Sequence, residues 1–233
     1  MKKQRMPTVS AIIPAAGVGK RFDADIKKQF FLLGDYPVLY YAMKMMNDSY
    51  PFDEFVVGAH PEDFKYISRI ADKLGITRFT LTPGGDTRAA TVLNALRESV
   101  CDFAAVHDAA RPFVSSDTVK NTVKAGIKHG GAICGVYARD TVKRIKDGMI
   151  VCTEDRDTVF LAHTPQVFSR NALLAALEKA ETEKMGFTDE SAAFEAAGHK
   201  VAVCLSGADN IKITEPADIP LAQALVKRYF SAG

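Results

Sequence analysis

Three short stretches of this 233-residue chain combine small residues, charge and turn chemistry in a way that could work on a phosphate. The first is Pro14-Ala-Ala-Gly-Val-Gly-Lys-Arg21, with Lys27 and Lys28 close behind. Small residues after an apolar run let backbone N–H groups approach a phosphate or a base closely. Lys20, Arg21, Lys27 and Lys28 place four cations within nine residues, opposed only by Asp23 and Asp25. That density suits a triphosphate tail. The plainer readings are a glycine-rich turn and a solvated charge run, and for Lys20 and Lys27 the solvated run is favoured. Two familiar phosphate motifs are excluded. A Walker loop needs glycine where Pro14 stands and Ser or Thr where Arg21 stands. The dinucleotide fingerprint needs a third glycine where Phe22 stands, and no helical pattern opens directly after the loop.

The second stretch is Thr82-Pro-Gly-Gly-Asp-Thr-Arg88, between an apolar run and a helical one. Gly84-Gly85 permits a tight turn that puts Asp86 at the C-terminal edge of a sheet, where ligands of open α/β sheets bind. Taken alone, it is better read as a simple turn with Asp86 or Thr87 as a helix cap. The third stretch is Val106-His-Asp-Ala-Ala-Arg-Pro112. A carboxylate there, Asp108, is well placed for Mg²⁺, which takes one or two carboxylates plus substrate phosphates. A turn aspartate and a structural ion pair through Arg111 are the plainer alternatives, and His107 reads as a core or hinge histidine rather than a base. Other chemistries fail. The five histidines show no HExxH or paired metal spacing, and neither a GxSxG elbow nor a cysteine in an electropositive loop is present.

Something must hold these stretches at one edge. Val9–Pro14, Glu54–Ala59, Ile76–Thr82, Asp102–His107, Ala132–Tyr137 and Val201–Leu205 read as strands. Helical patterns run from Pro37 through Met46, and over Pro61–Leu74, Thr87–Ser99, Ser116–His129, Asn171–Lys184, Asp189–Ala197 and Pro216–Phe230. This alternation predicts an α/β fold, a mostly parallel sheet sandwiched between helix layers. The rhythm breaks between Tyr137 and Phe160, where Lys146-Asp147-Gly148 joins two β-type runs into a projecting hairpin. With no repeat and no linker, residues 1–233 read as one domain with an inserted arm at 137–160.

Composition sets the outer limits. Thirty Lys plus Arg against 28 Asp plus Glu give +2, which argues against a dedicated nucleic-acid binder but leaves room for a basic pocket. Basic faces interleaved with aromatics, as a single-strand binder needs, are absent. Four well-separated cysteines (Cys101, Cys134, Cys152, Cys204) without a CxxC pair read as reduced thiols of a cytoplasmic protein. The run Ala172–Leu177 is far short of a membrane span, and the basic start is followed by Pro7 and Pro14 rather than a signal h-region.

Seven motifs then fall into register: Pro14-Ala-Ala-Gly-x-Gly-x-Arg21 with Lys28-Gln29, Gly84-Gly-Asp-x-Arg88, His107-Asp-Ala-Ala-Arg-Pro112, Arg139-Asp-Thr141, Thr164-Pro-Gln166, Thr188-Asp-Glu190 and Asn210-Ile-Lys-Ile-Thr214. The loop resembles that of the sugar-phosphate nucleotidyltransferases. The full set, from about Val9 to Leu225, resembles the 2-C-methyl-D-erythritol 4-phosphate cytidylyltransferases of non-mevalonate isoprenoid synthesis. The resemblance implies a Rossmann-like three-layer domain, a projecting arm that interlocks two subunits, and transfer of a cytidylyl group from CTP to a polyol phosphate with Mg²⁺ and release of pyrophosphate.

Carried onto this sequence, the resemblance makes Arg21, Lys28, Arg156 and Lys212 catalytic. It gives the nucleotide to Ala15, Ala16, Gly17, Gly19, Gly85, Asp86, Thr91, Asp108 and Ala109. The acceptor falls to Arg111, Thr141, Arg156, Thr164, Thr188 and Lys212, with Thr141 and Arg156 coming from the partner's arm. Asp108 would hold Mg²⁺, with Asp209 as a second ligand. Two positions depart from the family pattern: Lys27 stands where proline is usual and Phe22 where methionine is usual, which bears on loop rigidity rather than charge. The acceptor's phosphate is already a nucleophile, so positioning and electrostatics should suffice without a base. Two rival readings stay open here, a ribitol 5-phosphate cytidylyltransferase and a nucleotide-sensing module without turnover. Keeping Arg21, Lys28, Asp108 and Lys212 together argues against the second.

Overall fold

The computed structural model describes residues 5–17 and 27–230. In chain order the elements are β1 (Val9–Pro14), β2 (Leu32–Leu33), β3 (Tyr36–Pro37), α1 (Val38–Ser49), β4 (Glu54–Ala59), α2 (Phe64–Lys73), β5 (Phe79–Pro83), α3 (Arg88–Glu98), β6 (Phe103–Val106) and α4 (Ser116–His129). They continue with β7 (Gly131–Tyr137), β8 (Lys143–Lys146), β9 (Met149–Thr153), β10 (Phe160–Ser169), α5 (Arg170–Thr182), α6 (Glu190–Ala196), β11 (Ala202–Leu205) and α7 (Ile219–Phe230).

Seven strands form one sheet in the order β11-β7-β10-β6-β1-β4-β5. Every pairing is parallel except those of β10, which runs antiparallel to both β6 and β7. Strand alternation sorts the core into two layers. Val9, Ala11 and Ile13 of β1 face one layer with α1, α2, α4 and α7, while Ile12 faces the other with α3, α5 and α6. The result is a Rossmann-like three-layer sandwich. Local chemistry sets the helix ends. The Thr87 and Ser115 side chains accept from the backbone N–H of Ala90 and Thr118 at the starts of α3 and α4, and α4 stops at Gly130 in the left-handed region (φ 83°).

Several boundaries differ from expectation. Pro61 and Pro216 open short 3₁₀ turns before α2 and α7, and Pro37 ends β3 in an extended conformation just ahead of α1. Strand β6 stops at Val106, so His107 and Asp108 lie on the turn beyond it. The larger surprise is β10, a ten-residue strand near the middle of the sheet over a stretch to which the sequence reading assigns no element. Pro165 hides it, because proline lacks an N–H and is expected at sheet edges. A register shift between His163 and Gln166 absorbs the missing donor. The arm forms as expected. Strands β8 and β9 pair antiparallel, Lys146 faces Met149, and Asp147 (φ 51°) and Gly148 (φ 78°) make the two-residue turn.

Candidate active site

Strands β4 and β5 lie to one side of β1 and β6 to the other, so the chain reverses its winding at β1. Ligands of open α/β sheets bind beyond the strand ends at such a reversal. A cavity of about 650 Å³ opens there. Its first wall is the segment after β1. Ala15 donates its N–H to Gly58 O at 2.7 Å, and the buried Gln29 side chain donates to Ala15 O at 2.7 Å, tying the return of the loop to its start. Its second wall is the turn after β5. A side chain at Gly84 would collide with Ala16 Cβ, so glycine is required where the two walls meet. The buried Thr91 hydroxyl accepts from Gly85 N at 3.1 Å and donates to Thr87 O at 3.0 Å, which fixes the turn. Small residues thus leave a slot walled largely by backbone between the two turns.

The floor is charged. Asp108 receives Arg88 Nε on Oδ1 at 2.9 Å and Lys212 Nζ on Oδ2 at 2.8 Å, and Arg111 Nε lies 3.6 Å from Oδ2. Burial would push this carboxyl up, but Arg88, Lys212 and Arg111 outweigh it and hold Asp108 well below the usual carboxylate range. Arg88 also donates through Nη1 to Glu190 Oε1 at 2.6 Å. Burial pushes the Glu190 carboxyl up, and Arg88 offsets this only in part.

Behind the floor, the Asp108 N–H donates to Thr164 Oγ1 at 3.0 Å, and Thr164 Oγ1 lies 3.1 Å from His107 Nδ1. The Thr164 hydroxyl therefore gives its proton to Nδ1, and Nε2–H donates to Arg111 O at 2.9 Å. Burial pushes His107 down to about 4, so the ring is a neutral spacer between the ends of the Asp108–Arg111 turn.

A second cavity of about 440 Å³ shares Lys212 with the first and is lined also by Arg111, Arg139, His163 and Asn210. Burial pushes His163 down to about 4, with Arg111 adding to the effect. Arg111 Nη1 donates to Asn210 O at 2.7 Å, and Asn210 Nδ2 donates to Thr164 O at 2.9 Å. Arg111, Arg139 and Lys212 make this a cationic recess of a size suited to a small phosphorylated polyol.

The expected residues divide as follows. Ala15, Ala16, Gly17, Lys28, Gly85, Asp86, Thr91, Asp108, Ala109 and Lys212 line the larger cavity together. Arg111 lines the smaller one beside Lys212. Thr164 lines neither and supports Asp108 from behind. Thr141 and Arg156 are exposed at the arm, where Arg156 donates to Arg139 O at 3.0 Å, and Thr188 is exposed ahead of α6. Gly19 and Arg21 lie outside the described residues. Asp209 lines neither cavity; its Oδ2 accepts from Arg228 at 3.0 Å and the Tyr229 hydroxyl at 2.8 Å.

Arg88, Gln29 and Glu190 stood inside the quoted motifs without a role, and His60 and His163 carried no signal at all. Lys27, read as solvated, is an anchor: Nζ meets Glu62 Oε1 at 2.6 Å and Asp63 Oδ2 at 2.7 Å. That bridge ties the backbone just before Lys28 to the start of α2, at the position where a proline was expected to stiffen it.

Among the described residues no three His, Cys, Asp or Glu side chains cluster to hold a metal by themselves. Two hard carboxylates line the slot, Asp86 on the turn and Asp108 beside Lys212. That donor set fits Mg²⁺, which completes its shell with substrate phosphates and water.

A sequence model of the family described as 2-C-methyl-D-erythritol 4-phosphate cytidylyltransferase (IspD) matches residues 9–228. A protein of that name from Clostridium botulinum (strain 657 / Type Ba4) is 37% identical over 224 residues, spanning 94% of this chain and 97% of its own. One from Geobacter metallireducens is 35% identical over 226 residues, spanning 94% and 97%. The crystal structure of 4-diphosphocytidyl-2C-methyl-D-erythritol synthase from Anaerococcus prevotii superposes with a TM-score of 0.85 at 30% identity, covering 95% of this chain and 97% of that one. The chain is thus a nucleotidyltransferase, and it belongs to the 2-C-methyl-D-erythritol 4-phosphate cytidylyltransferase family.

Proposed function

We propose that this protein transfers the cytidylyl group of CTP to 2-C-methyl-D-erythritol 4-phosphate, releasing pyrophosphate. The observation that carries the reading is the shared wall: Lys212 lines both the backbone-lined slot and the cationic recess, next to Asp108. A nucleotide in the slot and a polyol phosphate in the recess would meet at that wall.

The residues act by placement and charge. Ala15–Gly17 and the Gly85–Asp86 turn orient the nucleoside, and Lys28 reaches the triphosphate from the loop side. Asp108 would hold Mg²⁺, which when bound neutralises phosphate charge. Arg111 and Lys212 hold the acceptor's phosphate, whose oxygen attacks the α-phosphorus as the pyrophosphate leaves. Negative charge builds on the α-phosphoryl oxygens, and fixed cations stabilise it without reorganising. Arg21 joins Lys28 in that role. No proton need be removed, which agrees with a neutral, inward-bonded His107.

The acceptor recess is completed, on this reading, by Thr141 and Arg156 of a second subunit, through a homodimer built on the arm. The protein works in the cytoplasm and binds neither nucleic acid nor membrane; among the described residues no helix is long and apolar enough to cross one. Pyrophosphate release measured with CTP and each polyol phosphate tests the assignment. Turnover with methylerythritol phosphate supports it, and faster turnover with ribitol 5-phosphate would move the protein to the rival substrate.

A further inference from the structure

Glu190 is 1% exposed, and among the described residues its charge is paired with Arg88 alone. Oε1 accepts from Arg88 Nη1 at 2.6 Å, while Oε2 is buried without a hydrogen-bond partner. Stability is a poor reason to keep such a pair, since apolar replacements of buried ion pairs are often neutral or stabilising. The geometry offers another reason. Arg88 lines the nucleotide slot, and its remaining edge donates through Nε to Asp108 Oδ1 at 2.9 Å. A guanidinium is a strong bidentate ligand for phosphate. Unrestrained in the lining of a triphosphate site, Arg88 would be drawn toward the nucleotide and away from Asp108.

Glu190 is itself firmly placed. The Asp189 carboxylate accepts from Ala192 N at 3.0 Å and from Gln166 Nε2 at 2.8 Å, and Ser191 N donates to Gln166 Oε1 at 3.1 Å. The residues on either side of Glu190 are thereby clamped to β10, two residues beyond the Thr164 hydroxyl that accepts the Asp108 N–H. Asp108 is held twice from one strand, its backbone through Thr164 and its carboxylate through Glu190 and Arg88.

We propose that Glu190 is a positioning residue: acting through Arg88, it keeps that guanidinium on Asp108 and off the nucleotide's phosphates. Contacts made equally in ground and transition states do not speed the chemistry. Diverting Arg88 to the phosphates would therefore tighten CTP binding without speeding the chemistry, and the loss of its hold on Asp108 Oδ1 would slow turnover. The inference rests on the reading of the slot as the CTP site.

The test is a double-mutant cycle of E190Q, R88M and both together, read by calorimetric CTP affinity, steady-state kinetics and thermal midpoint. E190Q alone should bind CTP several-fold more tightly and turn over about tenfold more slowly. In the R88M background, E190Q should change neither quantity. Equal effects of E190Q in both backgrounds would mean that Glu190 acts as a distant charge, and the inference falls. It falls also if E190Q lowers the thermal midpoint alone, which marks a purely structural pair. If R88M does not fold with Glu190 left unpaired, R88K replaces it, since one ammonium cannot fork between two carboxylates as Arg88 does. A wild-type chain without cytidylyl transfer would bring down the proposed function instead, and the CTP-affinity half of the cycle would still decide this inference.

Discussion

At the floor of the cleft, charged side chains are matched within the chain, the buried Asp108 with Arg111 and the half-buried Arg88 and Lys212, and Arg88 again with the buried Glu190. Along the arm the pattern is inverted. Met149 and Ile150 are 72% and 64% exposed, and Ile145 and Val151 stand out beside them. Among the described residues, the strands that carry them pair only with each other. A lone two-stranded hairpin is marginal in water, and a run of exposed apolar side chains marks a contact surface. The floor's ion pairs close within one chain, whereas the arm leaves an apolar face open, and the proposed dimer gives that face a partner. A substitution in the floor should act on its own chain's site, whereas one in the arm should act on another's.

The strongest test of the cleft is Lys28→Ala, on the loop side above the floor. Lys28 lines the slot next to Gln29, whose side chain fixes the loop's return. A donor aimed at transition-state charge is worth roughly 10²–10³ in kcat. The expected outcome is a loss of that size with little change in the KM for CTP. A raised KM with kcat intact would make Lys28 a ground-state ligand and remove it from the chemistry.

How much of this was legible in the sequence differs between the same two regions. Glu54–Ala59 and Ser116–His129 match their elements end to end, because a buried parallel strand and a Ser-capped, Gly-terminated helix each carry strong local signals. The arm was legible for the same reason, since Asp147-Gly148 demands a tight turn. The floor was legible only as separate motifs. Asp108 and Lys212 are 104 residues apart in sequence, and no local pattern says that one ammonium meets one carboxylate. Strand β10 was missed because Pro165 contradicts a central strand, and with it went the support that Thr164 gives Asp108. Lys27 read as solvated because its partners, Glu62 and Asp63, lie 35 and 36 residues away in sequence.

The arm is tested by mixing two inactive chains. If Lys28 acts in its own chain's site and Arg156 in the partner's, a heterodimer of Lys28→Ala and Arg156→Ala carries both defects in one site and neither in the other. Random pairing makes about half of the dimers mixed, so roughly a quarter of all sites should be intact after free exchange. Recovery near that level sharpens the contrast between floor and arm. Demonstrated exchange with activity still near zero would place both residues in one chain's site and break it.

The smallest expected effect concerns the floor's dependence on pH. His107 is fully buried between Thr164 and the Arg111 carbonyl, and burial pushes it down to about 4, against about 6.5 in the unfolded chain. Its folded value is depressed, so between those two values the unfolded chain takes up a proton that the folded chain refuses. Stability is then fully present above about pH 6.5 and is lost as pH falls toward 4. From pH 7 to 5.5 the linkage amounts to about 1 kcal/mol for this ring. His163, also pushed down to about 4, adds a loss of the same sign. Chemical denaturation of the wild type and His107→Gln at the two pH values separates the shares. Glutamine can keep a donor and an acceptor in place of the ring but does not titrate, so the variant should lose about 1 kcal/mol less than the wild type over this interval, whatever its absolute stability. Equal losses in the two proteins would mean that His107 is protonated in the folded chain, and the neutral spacer between Asp108 and Arg111 would have to be abandoned.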